Sequence, residues 1–290
     1  MNKSKNSLVI AIIVSMLLWG LSWPSGKVLT NYSSAINFIV YRYIVVLATL
    51  FPVLLLLRVP LTIKKKGIPL IITSGLLLAL YSWFFFQGLK NGFAGAGGVL
   101  VTILNPIMAY SIGLFINRKR PSKNESIGLA MGLMAGCVLL RIWNNTDAIF
   151  AAGNLYFLSA AFTWAVMSKF TSKAFNYGSS MGFSLWQYLV TFFCFLPFLD
   201  VKEMQTTLLT ADVVFWINLF FSAALVTSLA TTLYFYATTK LGAERASSFI
   251  FIVPFAAAVS SWLFLDEKIL IHTIVGGVLG ILAVYIINKK

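Results

Sequence analysis

Residues 213–239 read VVFWINLFFSAALVTSLATTLYFYATT, an unbroken run without Asp, Glu, Lys, Arg or His. A helix rising 1.5 Å per residue crosses a hydrocarbon core of ~30 Å in about 20 residues, so this run is long enough to span a membrane. It is apolar throughout, whereas a lipid-facing barrel strand alternates over ~10 residues. Runs free of Asp, Glu, Lys and Arg also cover 6–26, 67–89, 91–117, 126–140, 148–168, 174–199, 246–265 and 269–288, and 28–57 is interrupted only by Arg42. The pattern predicts an all-α membrane protein with ten transmembrane helices at 8–29, 35–57, 69–89, 94–116, 124–143, 151–173, 180–199, 213–236, 244–265 and 268–288. The segment 200–212 reads as a polar loop.

Composition agrees. Of 290 residues 59% are hydrophobic and 10% charged, against roughly 45–50% and 25% for soluble domains. The formal charge of +14 sits in short clusters between spans. No basic face follows a phosphate backbone, so nucleic acid is not an expected partner; the lipid bilayer and a small-molecule substrate are. Cys137 and Cys194 lie in apolar runs without a CxxC or Cys/His cluster, so no metal, disulfide or cofactor is expected. Lys3 and Lys5 before the first span suggest a secretory signal, but no small-residue cleavage site follows, and the segment is read as a helix. Ten spans put both termini on one side. Loops on that side carry sixteen Lys and Arg and the opposite loops five, which places both termini in the cytoplasm of a bacterial inner membrane.

A shift of 145 residues superposes Trp19 on Trp164, Asn31-Tyr32 on Asn176-Tyr177, Ser34 on Ser179, Phe38 on Phe183, Tyr43 on Tyr188 and Pro52 on Pro197. A shift of 148 pairs Pro106 with Pro254, Gly128 with Gly276 and Gly132 with Gly280. The chain therefore reads as two five-helix repeats, 1–144 and 145–290. Because five is odd, the second enters the membrane inverted, the plan on which many secondary transporters alternate access to a central site.

These residues resemble the drug/metabolite transporter superfamily in its ten-helix EamA form. The resemblance rests on Trp19-Gly20 and Lys27 in span 1, Arg42-Tyr43 in span 2, Asn105-Pro106 in span 4, Ala243-Glu244-Arg245-Ala246 before span 9, Pro254 within it, and Asp266-Glu267 ahead of a glycine-rich span 10. It departs where Asn117-Arg118-Lys119 replaces an acidic residue after span 4. The resemblance implies a monomeric exporter-like carrier whose cavity is lined by spans 1, 3, 4, 6, 8 and 9.

Arg42 is a charge well inside a span. At mid-membrane it would cost roughly 2.5–3.5 kcal/mol on insertion scales, so it either snorkels onto backbone carbonyls or contacts a substrate or gate. Lys27 reads as an interfacial anchor and His272 as an interfacial residue. Trp19 and Trp164 are repeat-related and mid-span, and are expected to face each other across the cavity. Tyr81 and Phe85 share a face of span 3, and Ser228, Thr232 and Tyr236 make a polar stripe on span 8. With Asn105 and Arg42 these are the candidate substrate-binding residues; each has a plain packing role as its alternative. Pro24, Pro106 and Pro254 are candidate hinges. Gly128-x3-Gly132-x3-Gly136 and Gly276-x3-Gly280 predict close packing of spans 5 and 10 between the halves, with a homodimer contact as the alternative.

All eight acids, Glu125, Asp147, Asp200, Glu203, Asp212, Glu244, Asp266 and Glu267, fall at span ends or in loops. No intramembrane carboxylate is available for proton coupling, and no catalytic constellation is visible, so an enzyme is not expected. The favoured function is a carrier exporting neutral or zwitterionic amino-acid-like solutes. Export of hydrophobic or cationic drugs, and a structural or sensory membrane protein, are the alternatives.

Overall fold

A computed structural model of the chain describes residues 3–118, 120–143, 153–241, 246 and 249–288. The described residues are almost entirely helical. Their one extended contact is an isolated antiparallel bridge between Ile63 and Gly178. The helices are α1 (Lys3–Leu29), α2 (Ala35–Leu56), α3 (Ile68–Asn91), α4 (Ala94–Asn117), α5 (Lys123–Leu140), α6 (Asn154–Thr171), α7 (Ser180–Phe195), α8 (Val201–Thr210), α9 (Val213–Leu241), α10 (Ile252–Leu265) and α11 (Ile271–Asn288). Among the described residues six stretches are long and apolar enough to cross a membrane: Leu8–Leu29, Ala35–Leu56, Lys65–Asn91, Ala94–Phe115, Ser180–Phe198 and Val213–Leu241. Ile252–Leu265 and Ile271–Ile287 are shorter apolar helices. Of the quoted Ala243-Glu244-Arg245-Ala246 motif, only Ala246 lies within the described residues.

The stretch 200–212 is not simply a loop. Asp200 accepts the backbone N–H groups of Lys202 and Glu203 and starts the ten-residue helix α8, a side-chain cap that outweighs the polar composition. Helix α8 then clamps the start of α2. The Glu203 carboxylate accepts the Ser33 hydroxyl at 2.7 Å and the Ser34 backbone N–H. Asn37 and Asp200 exchange two bonds of 2.9 Å, and Tyr41 Oη donates to the Met204 carbonyl at 2.8 Å. At the opposite end of the bundle, Lys64 N–H bonds Tyr177 O at 2.9 Å and Trp186 Nε1 bonds Leu61 O at 2.8 Å.

Close helix approach follows the small residues. Helix α5 packs along α11, α3 against α6 and α7, α1 against α10, and α4 between α6 and α10. A Cβ at Gly128 would lie 2.6 Å from the Ala283 carbonyl, and one at Gly276 2.6 Å from Leu139 Cγ. Gly132 and Gly280 instead admit Ile107 and Ile103 of α4. The chain's own helices cover these faces. Helix α1 meets α10 where Gly20 faces Ala256. Pro24 lacks the N–H that would bond the Gly20 carbonyl, and Ser260 Oγ donates to that carbonyl at 3.3 Å.

Two predictions follow from this packing. Gly276→Ala should lower the melting temperature of the purified protein, by about 1–3 kcal/mol of overpacking. Gly277→Ala, whose Cβ would meet nothing closer than 3.9 Å, should leave it unchanged or raised, because alanine favours the helix. Burial works to raise the Glu203 pKa, but hydrogen bonds from Ser34 and Ser33 outweigh it, and the group lies below the ordinary carboxylate value. A depressed pKa stabilises the clamp above the ordinary value of about 4.3 and loses that support as pH falls through the folded one. Hydrogen exchange at Ser34, corrected for its intrinsic rate, should therefore rise on acidification, and Glu203→Gln should abolish that dependence.

Candidate functional site

Eight helices surround one central cavity of about 60 Å³. Helix α1 contributes Trp19, Ser22 and Trp23, α2 contributes Arg42 and Tyr43, and α3 contributes Tyr81, Ser82 and Phe85. Asn105 comes from α4, Trp164 from α6, Tyr188 from α7, Thr227 and Thr231 from α9, and Val253 from α10. Six candidates picked from the sequence, Trp19, Arg42, Tyr81, Phe85, Asn105 and Trp164, thus converge on it. Helices α2 and α7 line it as well, beyond the six spans the family resemblance implied. The volume is small beside the ~300–1,000 Å³ of ordinary ligand sites, so in this conformation the site is contracted.

The aromatic rings produce the contraction. Trp19 and Trp164 do not stand apart across an open space: their rings meet edge to face, 5.2 Å between centroids. Tyr234 lies 4.8 Å from Trp19, and Tyr81 4.7 Å from Trp164. A second group joins Trp23 to Phe85 at 4.7 Å and to Phe157 at 5.8 Å.

Ser228, Thr232 and Tyr236 lie off the cavity. Ser228 Oγ bonds Thr49 Oγ1 at 2.8 Å and the Val46 carbonyl at 3.2 Å, facing α2. Thr232 bonds Tyr188 Oη at 3.2 Å, and Tyr236 lies under Lys240, 5.5 Å from ring centroid to ammonium. The physical reason is a π-helix over Phe221–Thr231 in the middle of α9. Its i→i+5 bonding widens each turn and turns residues out of the register that 3.6-residue spacing predicts. Thr227 and Thr231 face the cavity instead. Their hydroxyls donate five residues back, to Ser222 O and Val226 O at 3.0 Å each. A π-segment has no residue signature in this chain, so sequence reasoning missed both. Tyr43 and Tyr188 had a signal, being a repeat pair; Trp23 had none.

These two threonines hold the polar side chains of the site. Arg42 Nη2 donates to Thr227 Oγ1 at 2.6 Å, and Trp19 Nε1 to Thr231 Oγ1 at 3.2 Å. Arg42 also places Cζ 5.4 Å from the Phe86 ring centroid. Its Nε is buried without a hydrogen-bond partner, and its ionisable neighbours are the phenols Tyr43, Tyr81 and Tyr188. Among the described residues it bonds a side-chain hydroxyl rather than backbone carbonyls. Lys27 does the reverse: its ammonium donates to Leu89 O at 2.6 Å and Gly92 O at 2.8 Å, closing the C-terminal end of α3.

The hydrogen bonds of the two halves correspond. Tyr43 pairs with Ser82 of α3, as Tyr188 pairs with Thr232 of α9, each at 3.2 Å. Arg42 of α2 reaches Thr227 of α9, and Gln187, 145 residues on, reaches the Ser74 carbonyl of α3 at 3.2 Å. Ser34 and Ser179 cap α2 and α7 alike. Each candidate hinge also directly follows a lining residue, giving Trp23-Pro24, Asn105-Pro106 and Val253-Pro254.

A polytopic helical membrane protein enclosing an aromatic cavity is the class this architecture defines. The EamA-like transporter family matches the chain over residues 6–141 and again over 151–289, and the chain belongs to that family. It is 26% identical to the uncharacterized transporter YoaV of Bacillus subtilis, over 94% of this chain and 93% of that one. It is 23% identical to a probable amino-acid metabolite efflux pump of Salmonella typhimurium, over 99% of this chain and 95% of the other. A solved crystal structure shares the fold at a TM-score of 0.64, with 14% identity over 98% of this chain and 97% of that one.

Thr227→Val should leave the buried guanidinium short of its acceptor and lower stability by about 1–3 kcal/mol. Thr227→Ser should restore it, and Ser228→Ala, which removes only hydrogen bonds between neutral groups, should cost less. Thermal melts of the three purified variants check the order.

Proposed function

We propose that this protein is a secondary transporter that works by alternating access and moves small amino-acid-like metabolites, neutral or zwitterionic, out of the cytoplasm. The observation that carries the reading is the paired bonding between helices, in which α2 bonds α9 at the cavity as α7 bonds α3 beside it. Such pairing supports two inverted five-helix repeats, 1–144 and 145–290, and a ten-span chain in the bacterial inner membrane with both termini cytoplasmic. Prolines beside lining residues supply carbonyls and bends at which half-helices can turn. The contracted cavity then widens for solute when the ring contacts of Trp19 and Trp164 part. The efflux-pump relatives support the amino-acid class and the outward direction.

Export of cationic drugs is the second reading. Aromatic walls favour it through cation–π attraction, while the positive charge of Arg42 in the same cavity opposes it. A structural or sensory role leaves the polar, aromatic cavity without a use.

Counterflow in proteoliposomes, screened with amino acids, nucleosides and choline-like cations, tests the proposal. Trans-loaded amino-acid-type solute should accelerate uptake, and flux should persist when the pH gradient is collapsed. Trp19→Ala and Trp164→Ala should abolish counterflow while keeping the elution profile of the folded protein. Reporter tags placing the two termini on opposite faces, or flux that vanishes with the pH gradient, would overturn it.

A further inference from the structure

We infer that the cavity binds its solute through a carboxylate seated on Arg42, that a free amino group is dispensable, and that the transported species carries a net charge of −1. This rests on the carrier reading above for the transport step and replaces its neutral or zwitterionic solute with a monoanion. Arg42 is the only Lys or Arg among the described lining residues. Thr227 fixes one side of its guanidinium, while the Nε–H is buried without a partner. A guanidinium offers five donors in a planar fork that matches a carboxylate in two-pronged geometry, so most of that fork awaits an acceptor.

The described lining residues do not provide one. Among the described acids, Asp200, Asp212 and Glu125 start their own helices, and Asp266 is exposed just after α10. Glu203 is held at the start of α2 and Glu267 at the start of α4. No carboxylate is found among the described lining residues, so a cation inside the membrane is left to be paired by what enters. One fixed cation matches one carboxylate; a phosphate dianion would keep an uncompensated charge. An ammonium group would find aromatic faces and the Asn105 amide but no ion-pair partner, so it adds little. The ring cluster of Trp19, Trp164 and Tyr81 receives an apolar or aromatic body.

This charge supplies a driving force. An inside-negative potential expels a monoanion, by roughly fiftyfold at equilibrium for about 100 mV, and needs no carboxylate to carry protons. A zwitterion would gain nothing from the same potential.

A matched probe series on the purified wild-type protein tests binding first: phenylalanine, N-acetylphenylalanine, 3-phenylpropionate and phenylalaninamide, read by quenching of tryptophan fluorescence. The three carboxylates should bind, the two without an ammonium at least as tightly as phenylalanine, and the amide at least tenfold more weakly. Arg42→Gln should remove the preference for acid over amide, and Arg42→Lys should retain part of it. Because the series compares ligands on one folded protein, a misfolded variant does not rescue the idea. Equal binding of amide and acid overturns it. Proteoliposomes with a valinomycin potassium potential test the charge. N-acetylphenylalanine flux should follow the sign of the potential, and flux indifferent to potential overturns the monoanion claim. Arg42-dependent acid binding without any flux would leave the carboxylate site standing and sink the carrier reading instead.

Discussion

A helix in hydrocarbon has no water to satisfy its backbone, so each helix end, kink and widened turn must find a partner inside the protein. That constraint organises this chain. Where Pro24 withdraws an N–H, Ser260 takes the Gly20 carbonyl. Where α9 opens into a π-helix, the hydroxyls of Thr227 and Thr231 reach back to carbonyls five residues away. Where α4 and α2 begin, Glu267 and Glu203 arrive from distant segments to accept the exposed N–H groups. The bonds of Ser260, Glu267 and Glu203 also join two elements, so there satisfying the backbone and fixing the tertiary arrangement are one event.

The acids illustrate the consequence for chemistry. A carboxylate at a helix N-terminus is favoured by the N–H groups and by the aligned peptide dipoles. Once Glu203, Glu267, Asp200, Asp212 and Glu125 are held there, none of them is free to neutralise a cation at mid-membrane. Arg42 is left in the company of phenols, a threonine hydroxyl and an aromatic face. The rules that stabilise the helix ends therefore set the electrostatic character of the cavity.

Much of the fold is legible in the sequence because hydrophobic length is a direct response to the membrane, and the glycines of α5 and α11 declare a close approach that the structure contains. Trp19, Trp164, Arg42, Tyr81, Phe85 and Asn105 line one cavity, and different signals single them out: the repeat shift for the two tryptophans, a lone charge for Arg42, a shared helix face for Tyr81 and Phe85, and an amide in an apolar run for Asn105. The helix α8 was not readable, because its stability comes from the Asp200 cap and from its partners on α2 rather than from its own apolar content. Nor was the true face of α9. Period-3.6 reasoning selects Ser228, Thr232 and Tyr236, and a π-segment substitutes Thr227 and Thr231 without altering composition.

The two stretches that match the family model are not equivalent, and the difference has a physical use. Tyr43 and Tyr188 match, as do Trp19 and Trp164, yet Arg42 corresponds to Gln187. Gln187 is fully buried on the Ser74 carbonyl and the Met167 sulfur and lies outside the cavity lining. The π-helix likewise occurs in α9 and not in its counterpart α3. These two asymmetries meet, because Thr227 of the π-segment is the residue that holds Arg42. Strictly equivalent halves would place two like charges across a narrow cavity, each raising the cost of the other. Confining the cation to one half avoids that repulsion. The widened turn in the other half offers it a hydroxyl whose own proton is already donated to Ser222, leaving the oxygen free to accept.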